Sequence, residues 1–273
     1  MYISMKTRVY VFLLAAVALL LPSNVMAEGD DDFGMWFELG AEKALPKNFS
    51  VSLEGEVRTQ NNTCNLDRLN IGIGLNYKLN KYVKFGTSYI FLGSYSPEKR
   101  KEHYKKEDPD VWNGYNVNEA YWTPRHRVNV DVTGGYKIAG WVKISVRERY
   151  QYTYGYEEEY NQYEYRYKSG NLRPGYPITE TKTKEEERSH ILRSRLKVEM
   201  ARKGIKWNPF VSVEFHNNLS NGMNMDKLRT SVGTEYKFNK KHSVGLAYVL
   251  THKFKETETN RMHAVCASYN FDF

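Results

Sequence analysis

The sequence predicts an all-β fold, an antiparallel transmembrane β-barrel of about 10–12 strands. Apolar and polar residues alternate with a period of two in run after run beyond residue 30, which is typical of strands with two chemically different faces. No remaining segment could cover the apolar faces, so we expect them to meet lipid. The mean hydropathy of −0.67 agrees with strands that are apolar on one face only.

Residues 1–27 have the pattern of a cleaved secretory signal peptide. Lys6 and Arg8 precede an apolar stretch, Val9–Leu21, and small residues close the segment at Val25–Ala27. The apolar stretch is too short to span a bilayer comfortably as an uncleaved anchor. Residues 28–273 are therefore expected to form a single barrel domain that is exported through the inner membrane to the bacterial outer membrane.

The first two hairpins show the repeating unit. In Phe33–Lys43, five apolar side chains alternate with glycine, tryptophan and glutamate. Leu45–Asn48 is a predicted turn, because proline fixes one backbone dihedral and asparagine tolerates a left-handed one. The return strand, Phe49–Gln60, alternates valine and leucine with serine, glutamate and arginine. The second hairpin comprises Arg68–Lys78, a turn at Asn80–Lys81 and Val83–Phe91.

Three further hairpins repeat this unit along the chain. Their predicted strands and turns are Arg127–Lys137, Ala139–Gly140 and Trp141–Tyr154; His190–Met200, Lys203–Gly204 and Trp207–Asn218; and the closing stretch Asp226–Phe273, which turns at Asn239. The segment EYKFNKKHSVGLAYV at residues 235–249 is nearly a copy of NYKLNKYVKFGTSYI at residues 76–90. Repeated hairpins predict one repeated sheet.

The connections fall into short turns and longer polar links. The links are 61–67, 93–124, 155–188, 220–225 and 255–260, and the second and third are by far the longest. Outer-membrane barrels place short turns on the periplasmic side and long loops outside. In the link 155–188 we expect a hairpin with its tip at Asn171–Gly175, and we expect Lys99–Asp110 to be a solvated charged segment.

The number of runs raises a problem of parity. About eleven alternating runs can be counted, whereas bacterial single-chain barrels have an even number of strands. Three explanations stay open at this point. Glu28–Asp32 could thread the lumen, a further strand could lie within Asp110–Trp122, or the first strand could close the sheet imperfectly.

Charged residues occupy the polar positions of the strands, so they are predicted to face the lumen. Acidic and basic side chains are interleaved, which favours a network of salt bridges over a simple anion pore. The basic residues are spread through the strands, so the net charge of +8 does not indicate nucleic-acid binding. The predicted lumen-lining residues are Glu54, Glu56, Arg58, Arg68, Arg127, Asp131, Arg147, Arg149, Arg193, Arg195, Glu199, Glu214, Arg229 and Glu235.

The sequence offers little catalytic chemistry. His216, with Glu214 two residues earlier on the same face, is a weak candidate for a general base. The pairs Ser189–His190 and His242–Ser243 are adjacent, which puts their side chains on opposite faces of a strand. No spacing of ligands predicts a metal site or a cofactor. Cys64 and Cys266 are expected to be two unpaired thiols.

The chain resembles a family of Bacteroidetes and proteobacterial outer-membrane β-barrels that is catalogued only as a domain of unknown function. The resemblance rests on FGMWFELGAEKALPKNFSVSLEGEVR, RHRVNV, SVRERYQY, DKLRTSVGTEYKFNKKHSVGLAYVL and the terminal YNFDF. It implies that Phe273 is the signal read by the barrel-assembly machinery. It also implies outer-membrane lipid and lipopolysaccharide as surroundings, and it brings no catalytic residues with it.

The sequence leaves three functional interpretations. The first is a non-enzymatic outer-membrane barrel, either a narrow channel or a structural or binding barrel with a charged lumen. The second is an outer-membrane hydrolase that acts on lipid or peptide, and the third is a soluble secreted β-sandwich that binds a ligand. The substrate, the openness of the lumen and the oligomeric state are not predicted.

Overall fold

A computed structural model describes residues 31–105, 108, 110–138, 140–200, 202, 204–254 and 259–273. The predicted signal peptide, the turn residues Ala139 and Lys203 and most of the link 255–260 lie outside this description. Across the described ranges, no helix has the length and apolar character needed to cross a membrane.

The described residues form sixteen strands, numbered here in chain order. They are β1 (Asp32–Ala44), β2 (Phe49–Gln60), β3 (Asn65–Lys78), β4 (Val83–Ser96), β5 (Lys99–Tyr104), β6 (Trp112–Asn118), β7 (Tyr121–Ile138), β8 (Val142–Gly155), β9 (Glu158–Lys168), β10 (Asn171–Leu172), β11 (Ile178–Lys184), β12 (Glu187–Met200), β13 (Trp207–Asn218), β14 (Asn224–Lys237), β15 (His242–Phe254) and β16 (Thr259–Asp272).

Eleven of these strands close into a barrel in the order β1-β16-β15-β14-β13-β12-β8-β7-β4-β3-β2. The predicted barrel fold is thus confirmed, and the closed ring excludes the two-sheet sandwich. Neighbouring strands are antiparallel except β1 and β16, which pair in parallel from Asp32 opposite Met262 to Glu42 opposite Asp272. An odd number of strands requires one parallel seam, so the unusual closure by the first strand resolves the parity problem.

The alternation of the sequence sets the two faces of the barrel. On the outside, Ile71 is 67% exposed and Leu39 is 64% exposed, whereas inward-facing Trp36 and Glu214 are 5% and 3% exposed. A slip of one residue between two strands would move every apolar side chain into the lumen. The hydrophobic pattern therefore specifies the register of each hairpin as well as its existence.

The turns β1–β2, β3–β4, β7–β8, β12–β13 and β14–β15 all lie at one end of the barrel, the short-turn rim. Lys47 and Asn48 have φ angles of 60° and 64°, and Gly140 has φ of +76°, as tight reversals require. The side chain of Asn80 accepts hydrogen bonds from the backbone N–H groups of Tyr82 and Val83. The predicted turn chemistry is present at these described positions.

The long links lie at the opposite end, the long-link rim. Two of them contribute β5, β6, β9, β10 and β11 to a second, five-stranded sheet, called here the loop sheet. The predicted hairpin of link 155–188 is confirmed, because β9 and β11 pair antiparallel. The strand considered within Asp110–Trp122 exists as β6, but it pairs with β5 and β9 and takes no part in the barrel. The described residues of Lys99–Asp110 are mostly exposed, as expected, although Lys99–Tyr104 form strand β5.

The start of β1 lies at the long-link rim. The backbone N–H of Asn62 donates to the Asp32 carboxylate at 3.0 Å, and the N–H of Thr63 donates to the carbonyl of Phe33. Asp31 lies 3.6 Å from Nε2 of His263, which faces outward. Residues 31 and 32 therefore do not thread the lumen, and the rest of the proposed threading segment lies outside the described residues.

Candidate functional site

Side chains fill the half of the lumen nearer the long-link rim. Leu92 on β4 and Thr123 and Asn129 on β7 are each at most 1% exposed. The side-chain N–H of Asn129 donates to the hydroxyl of Ser88 at 3.0 Å, whereas its Oδ1 has no hydrogen-bond partner among the described residues. Five further buried inward-facing residues of this half are Gln151, Thr153, Ile191, Thr251 and Met262. We call these eight residues the plug.

The plug was missed by reasoning from alternation alone. Strand β4 carries three consecutive apolar residues, Ile90–Leu92, and β12 carries Ile191 beside Leu192. Where consecutive residues are apolar, both faces of the strand are dry at that level. This local break in the period is the signal by which sequence analysis could have located a packed lumen.

A cavity of about 820 Å³ occupies the other half of the lumen. Its lining begins at the short-turn rim with Glu42, Glu235 and Asp272 and reaches Trp36 and Arg127 at the middle of the barrel. The plug residues are not part of the lining. The cavity is therefore a pocket that opens at the short-turn rim and ends against the plug.

The predicted lumen residues fall into two groups. Those that line the cavity are Glu54, Glu56, Arg58, Arg127, Arg147, Arg149, Arg193, Arg195, Glu214, Arg229 and Glu235. Two others bind lining residues or their neighbours: Asp131 accepts two hydrogen bonds from Arg149, and Glu199 pairs with Lys143 and Lys197 at 3.0 and 2.8 Å. Arg68 lies opposite Arg58 in the sheet and is not part of the cavity lining.

Glu214 is the centre of the network in the lumen. Its Oε2 lies 2.6 Å from Nη2 of Arg147, and its Oε1 lies 2.6 Å from Nη2 of Arg193. The three residues come from the neighbouring strands β13, β8 and β12, so the register of the sheet brings them together. Charge-assisted bonds of this length are the strong kind, and they hold this wall of the lumen rigid.

His216 does not form a catalytic pair with a nucleophile in the described part of the chain. Its Nε2 lies 2.9 Å from Oε1 of Glu214, which already binds Arg193. Neither carboxylate oxygen of Glu214 is free to act as a base. The outward-facing His190 and His242 lie 2.7 Å from the hydroxyls of Tyr150 and Tyr269 through Nδ1, not beside their serine neighbours.

A second cluster lies where β1 meets β16. The guanidinium of Arg58 lies 3.8 Å from the ring centroid of Trp36, and that of Arg229 lies 4.9 Å from it. Trp36 also packs with Val249, Ala264 and Cys266. Cation–π contacts orient both arginines toward the cavity, so the indole serves as a support for basic groups. Cys266 is a buried free thiol and Cys64 is an exposed one, as expected.

The loop sheet carries a row of aromatic residues outside the barrel. Tyr115 and Tyr165 stack with ring centroids 4.7 Å apart, and Trp112 lies 5.1 Å from Tyr167. These are cross-strand pairs, which stabilise a sheet directly. The Trp112 indole N–H donates to the Glu102 carboxylate at 2.6 Å, and this bond lowers the pKa of Glu102, with Arg100 contributing. Among the described residues, no cluster of His, Cys, Asp and Glu could hold a metal ion.

Comparison with known proteins gives one informative match. A family model described as "Protein of unknown function (DUF2490)" matches residues 33–263. Among solved structures, the translocator domain of the autotransporter NalP from Neisseria meningitidis is similar over 90% of this chain and 91% of that chain, at 11% identity and a TM-score of 0.29. A TM-score this low does not establish a shared fold. A search of the curated proteins finds no match.

Proposed function

The chain belongs to the DUF2490 family of unknown function, and on this premise we propose that it is a non-enzymatic barrel of the bacterial outer membrane whose lumen is a binding pocket. This match confirms the resemblance to a family catalogued as a domain of unknown function. Outer-membrane barrels place their long loops outside the cell and their short turns in the periplasm. In that orientation the short-turn rim, where the pocket opens, faces the periplasm. The observation that carries the proposal is the charged cavity that ends at the plug.

The outer face of the barrel supports the membrane location. Exposed apolar side chains surround it, among them Phe37, Ile71, Val130, Leu196 and Leu246, each between 47% and 67% exposed. A continuous apolar belt of this kind would drive aggregation in water, whereas it matches hydrocarbon. A closed ring of strands satisfies its backbone hydrogen bonds internally, as a lipid environment demands.

The plug supports a binding barrel over a narrow channel. Leu92, Thr123 and Asn129 are each at most 1% exposed, so no open water-filled passage runs along this part of the lumen wall. The pocket below is polar and charged, and its volume is in the range that accommodates small ligands, about 300–1,000 Å³. Glu214 is held by two guanidinium groups, and this supports a structural role for it in place of a catalytic one.

Conductance measurement tests the proposal. Purified protein, inserted into planar bilayers, is expected to show no steady single-channel conductance. The triple variant Leu92→Ala/Thr123→Ala/Met262→Ala removes plug volume without touching a charge, and it is expected to conduct. A stable ohmic conductance of the unaltered protein would instead establish the narrow channel. Heat-modifiable migration in gels checks that both proteins are folded before insertion.

Localisation is tested separately. Full-length protein is expected to sediment with outer membranes and to resist extraction by high salt and by alkaline carbonate, because its apolar belt lies in lipid. Recovery in the soluble periplasmic fraction without detergent would contradict the membrane location. It would not bear on the lumen pocket.

A further inference from the structure

We propose that the lumen pocket binds a small zwitterion, a molecule with an ammonium group and a carboxylate or phosphate group at separate ends. The inference rests on the proposed function, because it names the ligand class of that same pocket. It is carried by the distribution of charge across the cavity.

The ring order places β12 opposite the pair β1 and β2. Four strands separate β12 from β1 along one side of the ring, and four separate it from β2 along the other. Side chains that point inward from β12 and from β1–β2 therefore face each other across the lumen. Both sets line the same cavity.

The two facing walls carry opposite charge. The wall formed by β1 and β2 presents one basic side chain, Arg58, and four acidic ones: Glu38, Glu42, Glu54 and Glu56. The opposite wall, formed by β12 and β8, presents basic ones: Arg147, Arg149, Arg193, Arg195 and Lys197. Low-dielectric walls lined by one sign of charge concentrate the field between them, so the cavity has a transverse field from the basic to the acidic wall.

Most of these charges are neutralised by partners on the same strand or on another strand of the barrel. Arg58 pairs with Glu56 at 2.6 Å, and Lys84 lies 3.5 Å from Glu42. On the basic wall, Arg147 and Arg193 share Glu214, Arg149 binds Asp131, and Lys197 binds Glu199. Such bonds leave those groups little capacity for a ligand.

Five charged lining residues have no ion-pair partner within the described chain. They are Glu38 and Glu54 on the acidic wall, Asp272 on β16 beside that wall, Arg195 on the basic wall, and Arg127 on β7 beside that wall. Partly enclosed charges without partners are costly, and a ligand that supplies the counter-charge recovers that cost. A simple cation or anion would satisfy one wall only. A zwitterion satisfies both and lies along the field, which fixes its orientation.

Calorimetric titration of the detergent-solubilised full chain at low ionic strength tests the inference. The probes are trialanine, which carries both charges; N-acetyl-trialanine, which lacks the ammonium group; and trialanine amide, which lacks the carboxylate. Trialanine is expected to bind at least about tenfold more tightly than either blocked probe. O-phosphoethanolamine forms a fourth arm and distinguishes a phosphate from a carboxylate as the preferred anion.

Two variants assign the walls. Glu54→Gln should lower the affinity for trialanine to that of the N-acetylated probe and leave that probe's own affinity unchanged. Arg195→Gln should do the converse, with the amide probe unaffected. Glu54→Asp and Arg195→Lys retain the charges and should retain the preference. Glu180→Gln and Arg188→Gln, which change exposed charges outside the cavity, are the matched controls.

The peptide titrations test the zwitterion inference, and the bilayer recordings test the plugged pocket. Equal binding of the three peptide probes, or no binding of any of them, overturns the zwitterion inference, and a silent bilayer recording then still supports the plugged pocket. A tenfold preference that Glu54→Gln and Arg195→Gln abolish in the stated pattern supports it. Steady conductance of the unaltered protein overturns the plugged pocket whatever the probes do.

Discussion

Charged side chains of this protein differ in how much they contribute to its stability. Glu214 accepts from two guanidinium groups in a position that is almost closed to water, whereas Glu180 in the loop sheet pairs with Lys182 in solvent. Removing one member of a buried charge group leaves its partners without compensation, and this costs far more than loss of a surface pair. The two glutamates therefore provide a matched comparison of buried and exposed charge.

Glu214→Gln is expected to lower the free energy of unfolding by on the order of 3 kcal/mol, because Arg147 and Arg193 lose their shared counter-ion. Urea unfolding from lipid vesicles measures the change. The control Glu180→Gln should change it by less than about 1 kcal/mol. Adding Arg147→Gln to Glu214→Gln should cost less than Arg147→Gln alone, and strict additivity would contradict the assigned network.

The Glu102 carboxylate provides a pH-dependent contact in the loop sheet. Its pKa is lowered by the Trp112 indole N–H and by Arg100, so the charged form is favoured in the folded sheet. The contribution to stability is present above the unfolded pKa and is lost as the pH falls through the folded pKa. Trp112→Phe is expected to raise the pKa of Glu102, as followed by carboxyl NMR. Trp207→Phe, in the barrel at the other rim, should leave it unchanged.

At the scale of elements, the barrel hairpins and the loop sheet form in different ways. Each barrel hairpin is local in sequence, and its register follows from the alternation and a short turn. The loop sheet joins two links, since β6 from one link pairs with β9 from the other. Gly155 on β8 is directly opposite Glu187 on β12, so the barrel strands close without any help from the chain between them.

Replacing residues 156–186 with Asn-Gly is accordingly expected to leave the barrel folded, because a two-residue turn can join Gly155 to Glu187. Heat-modifiable migration and circular dichroism should match those of the unaltered protein. As a contrast, inserting one residue after Leu192 shifts the rest of β12 to the wrong face and should abolish folding. An unfolded deletion variant would show that the loop sheet is needed for assembly of the barrel.

Strand alternation made the barrel largely predictable, and particular features show where such prediction ends. Phe49–Gln60 and Trp207–Asn218 were predicted to the residue, since both alternate cleanly between turns. The pairing of β6 with β9 was not, because no local pattern encodes which distant segments meet. The plug and the opposed walls depend on ring order and on three-dimensional packing, which a list of inward-facing charges does not contain.

At the scale of the whole molecule, the free thiols report on orientation. Cys64 is exposed in the link between β2 and β3 at the long-link rim, and Cys266 is buried inside the barrel. If the long links face outward from the cell, a membrane-impermeant maleimide reaches the first thiol and not the second. The natural sequence therefore carries its own topological probe.

Intact cells that produce the protein are expected to label at a single thiol, and Cys64→Ser should abolish the labelling. In that background, Asn239→Cys at the short-turn rim should label only after the outer membrane is permeabilised. Labelling of Asn239→Cys in intact cells would reverse the proposed orientation and would place the mouth of the pocket on the cell surface.

The parallel seam between β1 and β16 restricts how this chain could be rewired. In a barrel with an even number of strands, the first and last strands are antiparallel, so a short linker can join their ends and new termini can be opened elsewhere. In this protein Asp32 and Asp272 lie on opposite rims, about 33 Å apart for ten residue steps of a strand. A linker that joins the two ends would have to pass through the plugged lumen or through lipid, so circular permutation is not open to this barrel. New termini can be introduced only by dividing the chain into two separate fragments.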